Sequence, residues 1–152
     1  MHEVEKFLTP DEEAEIIAAI QTAERNTSGE IRVHIEAHSV SQKDGSILDP
    51  FDRAAEVFAL LKMNNTQQRN GTLLYIAVVD RKLVIMGDEG INKVVEHDFW
   101  EGTINLIVSH FKNNEIKNGI VKGILKVGEK LKQYFPYQTD DKNELPDDIS
   151  FG

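Results

Sequence analysis

The sequence predicts an α/β fold of three layers: a central mixed β-sheet covered by helices on both faces. Three observations carry this. Helical and strand periodicities alternate along the chain in the order α, β, α, β, β, α, α. Residues 73–79 are apolar almost without interruption, as suits a strand covered on both sides. Two helical segments precede the central strand pair and two long ones follow it, so both faces of the sheet can be covered. At 152 residues the chain is one domain's worth, long enough to bury roughly 70% of its unfolded surface.

Thr9-Pro10-Asp11-Glu12 marks a helix start, because Thr9 can cap, Pro10 suits the first turn and Glu12 can close a capping box. Ile16, Ile17, Ile20 and Ala23 continue one apolar face, and Asn26-Thr27-Ser28-Gly29 stops it. Ile31, Val33, Ile35 and Ala37 alternate with Arg32, His34, Glu36 and His38, a period of two that predicts a strand with one apolar and one polar face. Residues 39–48 read as a loop. Asp49-Pro50 opens a second helix with Phe51, Ala54, Ala55, Phe58 and Leu61 on its apolar face, and the amide-rich residues 64–71 end it. Residues 71–79 and 82–86 form a predicted hairpin around Asp80-Arg81. Gly87-Asp88-Glu89-Gly90 is a loop with a glycine at each end, followed by a short helix over 91–95. Phe99, Ile104, Ile107, Val108 and Phe111 mark a third long helix, broken by Asn113-Asn114. Ile116, Ile120, Val121, Ile124, Leu125, Val127, Leu131 and Tyr134 mark a fourth that ends before Pro136. The hairpin strands run antiparallel, and the first strand, joined to the second through a helix, runs parallel to it.

The domain is expected over residues 1–137, with an acidic tail over 138–152. The tail carries Asp140, Asp141, Glu144, Asp147 and Asp148 against Lys142, and its apolar residues Leu145, Ile149 and Phe151 are the ones able to pin its end to the domain. The whole chain has 17 basic and 26 acidic residues, a net charge of −9. That charge repels a phosphate backbone, so no nucleic-acid partner is expected; it suits a cation or a basic protein partner. The absence of cysteine removes disulfides, thiolate metal sites and Cys nucleophiles. No apolar run approaches the roughly 20 residues of a spanning helix, so no membrane insertion is expected. With no apolar signal core at the N-terminus the expected location is cytoplasmic.

Several short motifs, in their order and spacing, resemble the TPM domain family over about residues 8 to 135. They are Thr27-Ser28-Gly29-Glu30-Ile31 into the first strand, Asn70-Gly71-Thr72-Leu73-Leu74 into the second and the Asp80-Arg81-Lys82 turn. The glycines of Gly87-Asp88-Glu89-Gly90 and the pattern Phe111, Gly119, Gly123 complete the set. The resemblance implies an α/β/α sandwich of Rossmann-like layering, and the sequence has neither G-x-G-x-x-G nor a P-loop. It also implies an association with acid phosphatase activity and with binding of divalent cations such as calcium.

The candidate chemistry is carboxylate chemistry. Asp88, Glu89, Glu96 and Asp98 lie close in sequence after the hairpin and together offer an oxygen-rich pocket for Ca²⁺ or Mg²⁺, which would relieve their mutual repulsion. A solvated acidic surface, or helix capping by Asp88 or Asp98, accounts for the same residues. Asp80 is at the other end of a hairpin strand, about 17 Å away, and forms a possible second acidic site with Glu30, Asp49 or Asp52. A metal-assisted phosphomonoesterase is the alternative function, with Arg81 or Lys82 as the phosphate contact. His34 and His38, about 13 Å apart on the polar side of one strand, are too distant for a common metal, whereas His97 beside Asp98 is a ligand or acid–base candidate. Phe99 and Trp100 are expected to anchor a helix start.

Overall fold

The computed structural model describes residues 7–41, 43–138 and 145–152. Asp140, Asp141, Lys142 and Glu144 of the acidic tail lie outside the described residues. Helix α1 (Pro10–Glu24) begins as its sequence requires: Thr9 Oγ1 accepts from the Glu12 amide at 3.2 Å and Glu12 Oε1 accepts from the Thr9 amide at 3.0 Å. Strand β1 (Glu30–Glu36) follows, then α2 (Pro50–Leu60), capped by Asp49 through the Phe51 amide at 2.9 Å. Strands β2 (Gly71–Ala77) and β3 (Lys82–Gly87) form the expected antiparallel hairpin. Its turn takes residues 78–81, and Arg81, at φ 56°, occupies the left-handed conformation that a glycine would adopt more cheaply. Short α3 (Glu89–Asn92), then α4 (Glu101–Lys112) and α5 (Ile116–Lys132), complete the helices.

The sheet has the order β3-β2-β1-β4. β1 is parallel to β2, as expected from the helical crossover. The fourth strand, β4 (Ile149–Phe151), was not expected as a strand: the end of the acidic tail lies parallel along β1, with Ser150 opposite His34. Leu145 and Ile149 are buried and pin the segment, while Phe151 stays 42% exposed.

The two faces are covered unequally. Ile31, Val33 and Ile35 of β1 meet Ile16 and Ile20 of α1, Ile107 of α4, and Ile120, Ile124, Val127 and Leu131 of α5. Gly128 lets α5 approach α1 closely; a Cβ there would lie 2.7 Å from the Ala23 Cβ. The opposite face is covered by α2 through Ala54 and Val57, with Met63 and Leu145 beside it, over Leu73, Tyr75 and Ala77. This second layer is the expected cover on the other face, and it closes over the polar side of β1. Glu30, Arg32, His34 and Glu36 lie under it and are all buried.

Candidate functional site

Three groups of charged side chains are organised by this scaffold. The first lies on the polar side of β1. Burial alone would raise the Glu36 carboxyl, but hydrogen bonds from His34, Arg53 and Tyr75 outweigh it and hold the group at about 2. Arg53 reaches from α2 and donates through Nε to Glu36 Oε2 at 2.9 Å and through Nη2 to Oε1 at 2.8 Å. Its Nη1 donates to Glu56 Oε1 at 2.6 Å, and Ser41 Oγ donates to the other Glu56 oxygen at 2.9 Å. The Tyr75 hydroxyl donates to Glu36 Oε2, which leaves it to accept from Ser39 Oγ at 3.1 Å. The Tyr75 ionisation is pushed up by burial and by the bond to Glu36.

An ionised Glu36 only accepts, so His34 Nε2 carries the proton of its 2.9 Å bond to Glu36 Oε1. The other ring nitrogen then faces the Ser150 hydroxyl at 2.9 Å. With four donors on its two oxygens, Glu36 has no lone pair to offer a metal and little basicity at neutral pH. The group is a buried, charge-compensated brace between β1, β2, α2 and β4.

The second group is the one singled out in the sequence. Asp88 sits at the N-cap of α3 and accepts from the Glu89 amide at 2.8 Å. Arg69 donates to it twice, Nε to Oδ2 at 2.7 Å and Nη2 to Oδ1 at 2.9 Å, and reaches Glu89 Oε1 at 3.2 Å. The bond to Asp88 raises the Arg69 ionisation. This is helix capping by Asp88 reinforced by a bidentate ion pair. Glu96, His97 and Asp98 are exposed, as are Arg81 and Lys82 at the hairpin turn. Asp80 accepts from His38 Nδ1 at 2.8 Å and from the Ser39 amide at 2.9 Å, and those bonds, His38 first, lower its ionisation. Those partners lie past the C-terminal end of β1, whereas Glu30 begins that strand, so Glu30 and Asp80 do not meet. Asp49 caps α2 instead. Trp100 packs against the core at the start of α4, and Phe99 lies edge-on to Trp100 and Tyr134 with Lys130 Nζ 4.6 Å from its ring centre.

The third group was missed in the sequence. Glu24 at the end of α1, Glu30 at the start of β1 and Asp147 on the segment before β4 meet beside the turn through Thr27-Ser28-Gly29. Burial, then hydrogen bonding with Asp147 and with Glu30, pushes the Glu24 carboxyl up to about 11, and the Ile31 amide, donating to Glu24 Oε2 at 2.8 Å, works the other way. Glu24 therefore keeps a proton at neutral pH. Glu30 in turn accepts from the Leu145 amide at 3.1 Å. Glu24 also stands at the negative end of α1, whose last turn contains no basic residue. Among the described residues no group of three or more His, Asp or Glu side chains is arranged to hold a metal ion; this cluster is closed by hydrogen bonds between its own carboxyl groups. Its donor set, three carboxylates and no nitrogen or sulfur, suits a hard divalent cation. The donors at Asp88, committed to Arg69 and a helix cap, suit one poorly. Also among the described residues, no helix is long and apolar enough to cross a membrane.

The sequence pattern of the TPM domain matches residues 2–130. This chain belongs to the TPM domain family. The TPM domain described here is similar over its whole length to the BA42 protein of the psychrophilic bacterium Bizionia argentinensis, whose structure was solved by NMR. The two are 51% identical, the alignment covers 99% of each chain, and the TM-score is 0.87. The N-terminal domain of cg2496 from Corynebacterium glutamicum shares the fold at 14% identity and a TM-score of 0.59, over 80% of this chain and 72% of that one. No curated protein matches the chain.

Proposed function

We propose that this TPM domain binds a divalent cation, Ca²⁺ or Mg²⁺, through Glu24, Glu30 and Asp147. The observation that carries the reading is the meeting of Glu24, Glu30 and Asp147 in one half-buried corner, where burial and the bonds between the acids push the Glu24 carboxyl up and a proton relieves their repulsion. A hard cation does the same work with more charge and with oxygen ligands it prefers. Bound there, it would tie the end of α1, the start of β1 and the C-terminal segment together, because each contributes one carboxylate. Binding and proton release are linked, since the cation must displace the Glu24 proton.

Titration of the protein with CaCl₂ or MgCl₂, followed by amide chemical shifts, tests this. Shifts are expected to concentrate at Glu24, Glu30, Ile31, Leu145 and Asp147. Calorimetry in buffers of different ionisation enthalpy is expected to register a released proton at pH 7. Flat spectra up to millimolar metal, or shifts confined to Asp88, Glu89, Glu96 and Asp98, would contradict the assignment.

A further inference from the structure

The outer edge of β1 is filled by a segment held as a docked peptide is held. Residues 145–152 enter through two buried apolar anchors four positions apart, Leu145 against the α2 side and Ile149 against the α1 and α5 side. From Ile149 onward the backbone pairs parallel with β1, and the Gly152 amide donates to the Ile35 carbonyl at 3.2 Å. The Leu145 amide donates to Glu30 at 3.1 Å, Ser150 meets His34 at 2.9 Å and Asp148 meets Arg32 at 3.2 Å. The receiving side also has partners outside this segment. His34 is stacked on Tyr75 at 5.8 Å and held by Glu36, which Arg53 and Tyr75 fix in turn, and these contacts orient the ring whose Nδ1 meets Ser150. Gly152 lies against Glu36 and His34, where a Cβ would collide with both.

We propose that the outer edge of β1 is a peptide-recognition groove which the chain's own residues 145–152 occupy in cis, and which accepts an extended peptide of the same pattern from solution. The pattern is an apolar residue, acidic residues, a second apolar residue four positions on, then serine and, two further on, glycine. This is recognition by strand addition: backbone pairing supplies affinity, and alternate side chains supply selectivity. Groove occupancy and cation binding are linked, because Asp147 of this segment is one of the three carboxylates proposed as ligands, so the exchange is measured without added metal.

A protease site inserted after exposed Gln138 allows the folded full chain to be nicked, and a labelled peptide of residues 139–152 is then added in excess. The nicked protein is expected to exchange its own tail for the peptide saturably. The peptide with Ile149→Asp should fail to compete, and the peptide with Ser150→Ala should bind roughly tenfold more weakly. A nicked protein that stays folded yet takes up no peptide overturns the proposal, as does equal uptake of the Ile149→Asp peptide. Should nicking unfold the protein, hydrogen exchange on the uncut chain decides: the Gly152 and Phe151 amides are expected to exchange at least roughly tenfold faster than those of β2, and equal protection overturns the proposal.

Discussion

Replacing Glu24 by glutamine should make this domain more stable at neutral pH. Glutamine has the same shape, its amide oxygen can accept from the Ile31 amide, and its amide N–H₂ offers two donors to Asp147 and Glu30 where the acid has a single proton. The native carboxyl lies at about 11 and the unperturbed one at 4.5, so above pH 4.5 the folded chain holds a proton that the unfolded chain has released. Stability from this group is therefore full below pH 4.5 and falls as pH rises towards 11. At pH 7 only the gap above 4.5 counts, and about 1.4 kcal/mol per pH unit makes the cost about 3 kcal/mol. Glu24→Gln removes that cost, which for a chain of this size corresponds to a rise in Tm of about 6–12 °C. Thermal or urea unfolding of both proteins between pH 5 and 9, without metal, is the assay. The two stability curves should converge near pH 5 and separate steadily above it. Parallel curves, or a glutamine variant less stable at pH 8, would refute the picture of a shared proton. Added Ca²⁺ should stabilise the native protein and leave the variant nearly unmoved.

The other predictions concern the brace around Glu36 and the packing that supports it. Glu36 is held at about 2 against 4.5 when unfolded, so its contribution is fully present above pH 4.5 and is lost as pH falls towards 2; acid unfolding should begin in that window. Arg53→Met strands Glu36 as a buried charge without its cation and should cost about 3–5 kcal/mol by urea unfolding. Tyr75→Phe removes one donor to the same carboxylate and should cost about 1.5–3 kcal/mol. Gly128→Ala forces a methyl into the contact with Ala23 and should cost about 1–3 kcal/mol, with the loss visible as a lower Tm.

Local chemistry made much of the fold legible. Thr9-Pro10 and Asp49-Pro50 announced α1 and α2 because capping is decided within four residues. The parallel pairing of β1 and β2 followed from the helix between them. The burial of the polar side of β1 was harder to read, since Arg32, His34 and Glu36 alternate as solvated residues would. Two signals pointed the other way: a tyrosine inside the apolar run of β2, and Arg53 beside Ala54 on the buried side of α2. β4 was illegible for a different reason. Three residues within an acidic tail carry almost no periodicity, and their partner strand lies over a hundred residues earlier. The same distance hid the acid cluster. Glu24 and Glu30 are near in sequence, but Asp147 joins them only when the tail folds back.

Asp88 was legible as a carboxylate of consequence, and capping, one of the three readings open to it beside a metal ligand and a solvated surface, is what the structure assigns to it. The competing partner, Arg69, gave no pattern to read, because a guanidinium 19 positions away has no fixed spacing to the acid it pairs with.

β1 leaves the ribosome more than a hundred residues before β4. Throughout synthesis one flank of β1 waits with bare amides and carbonyls, and with His34 lacking the hydroxyl that will later cap it. Closing a loop of more than a hundred residues is a slow, late event compared with the helical crossover that joins β1 to β2. The nascent domain thus passes through an interval in which its sheet is three strands wide and adhesive along one border, the condition under which neighbouring polypeptides are most apt to pair by mistake.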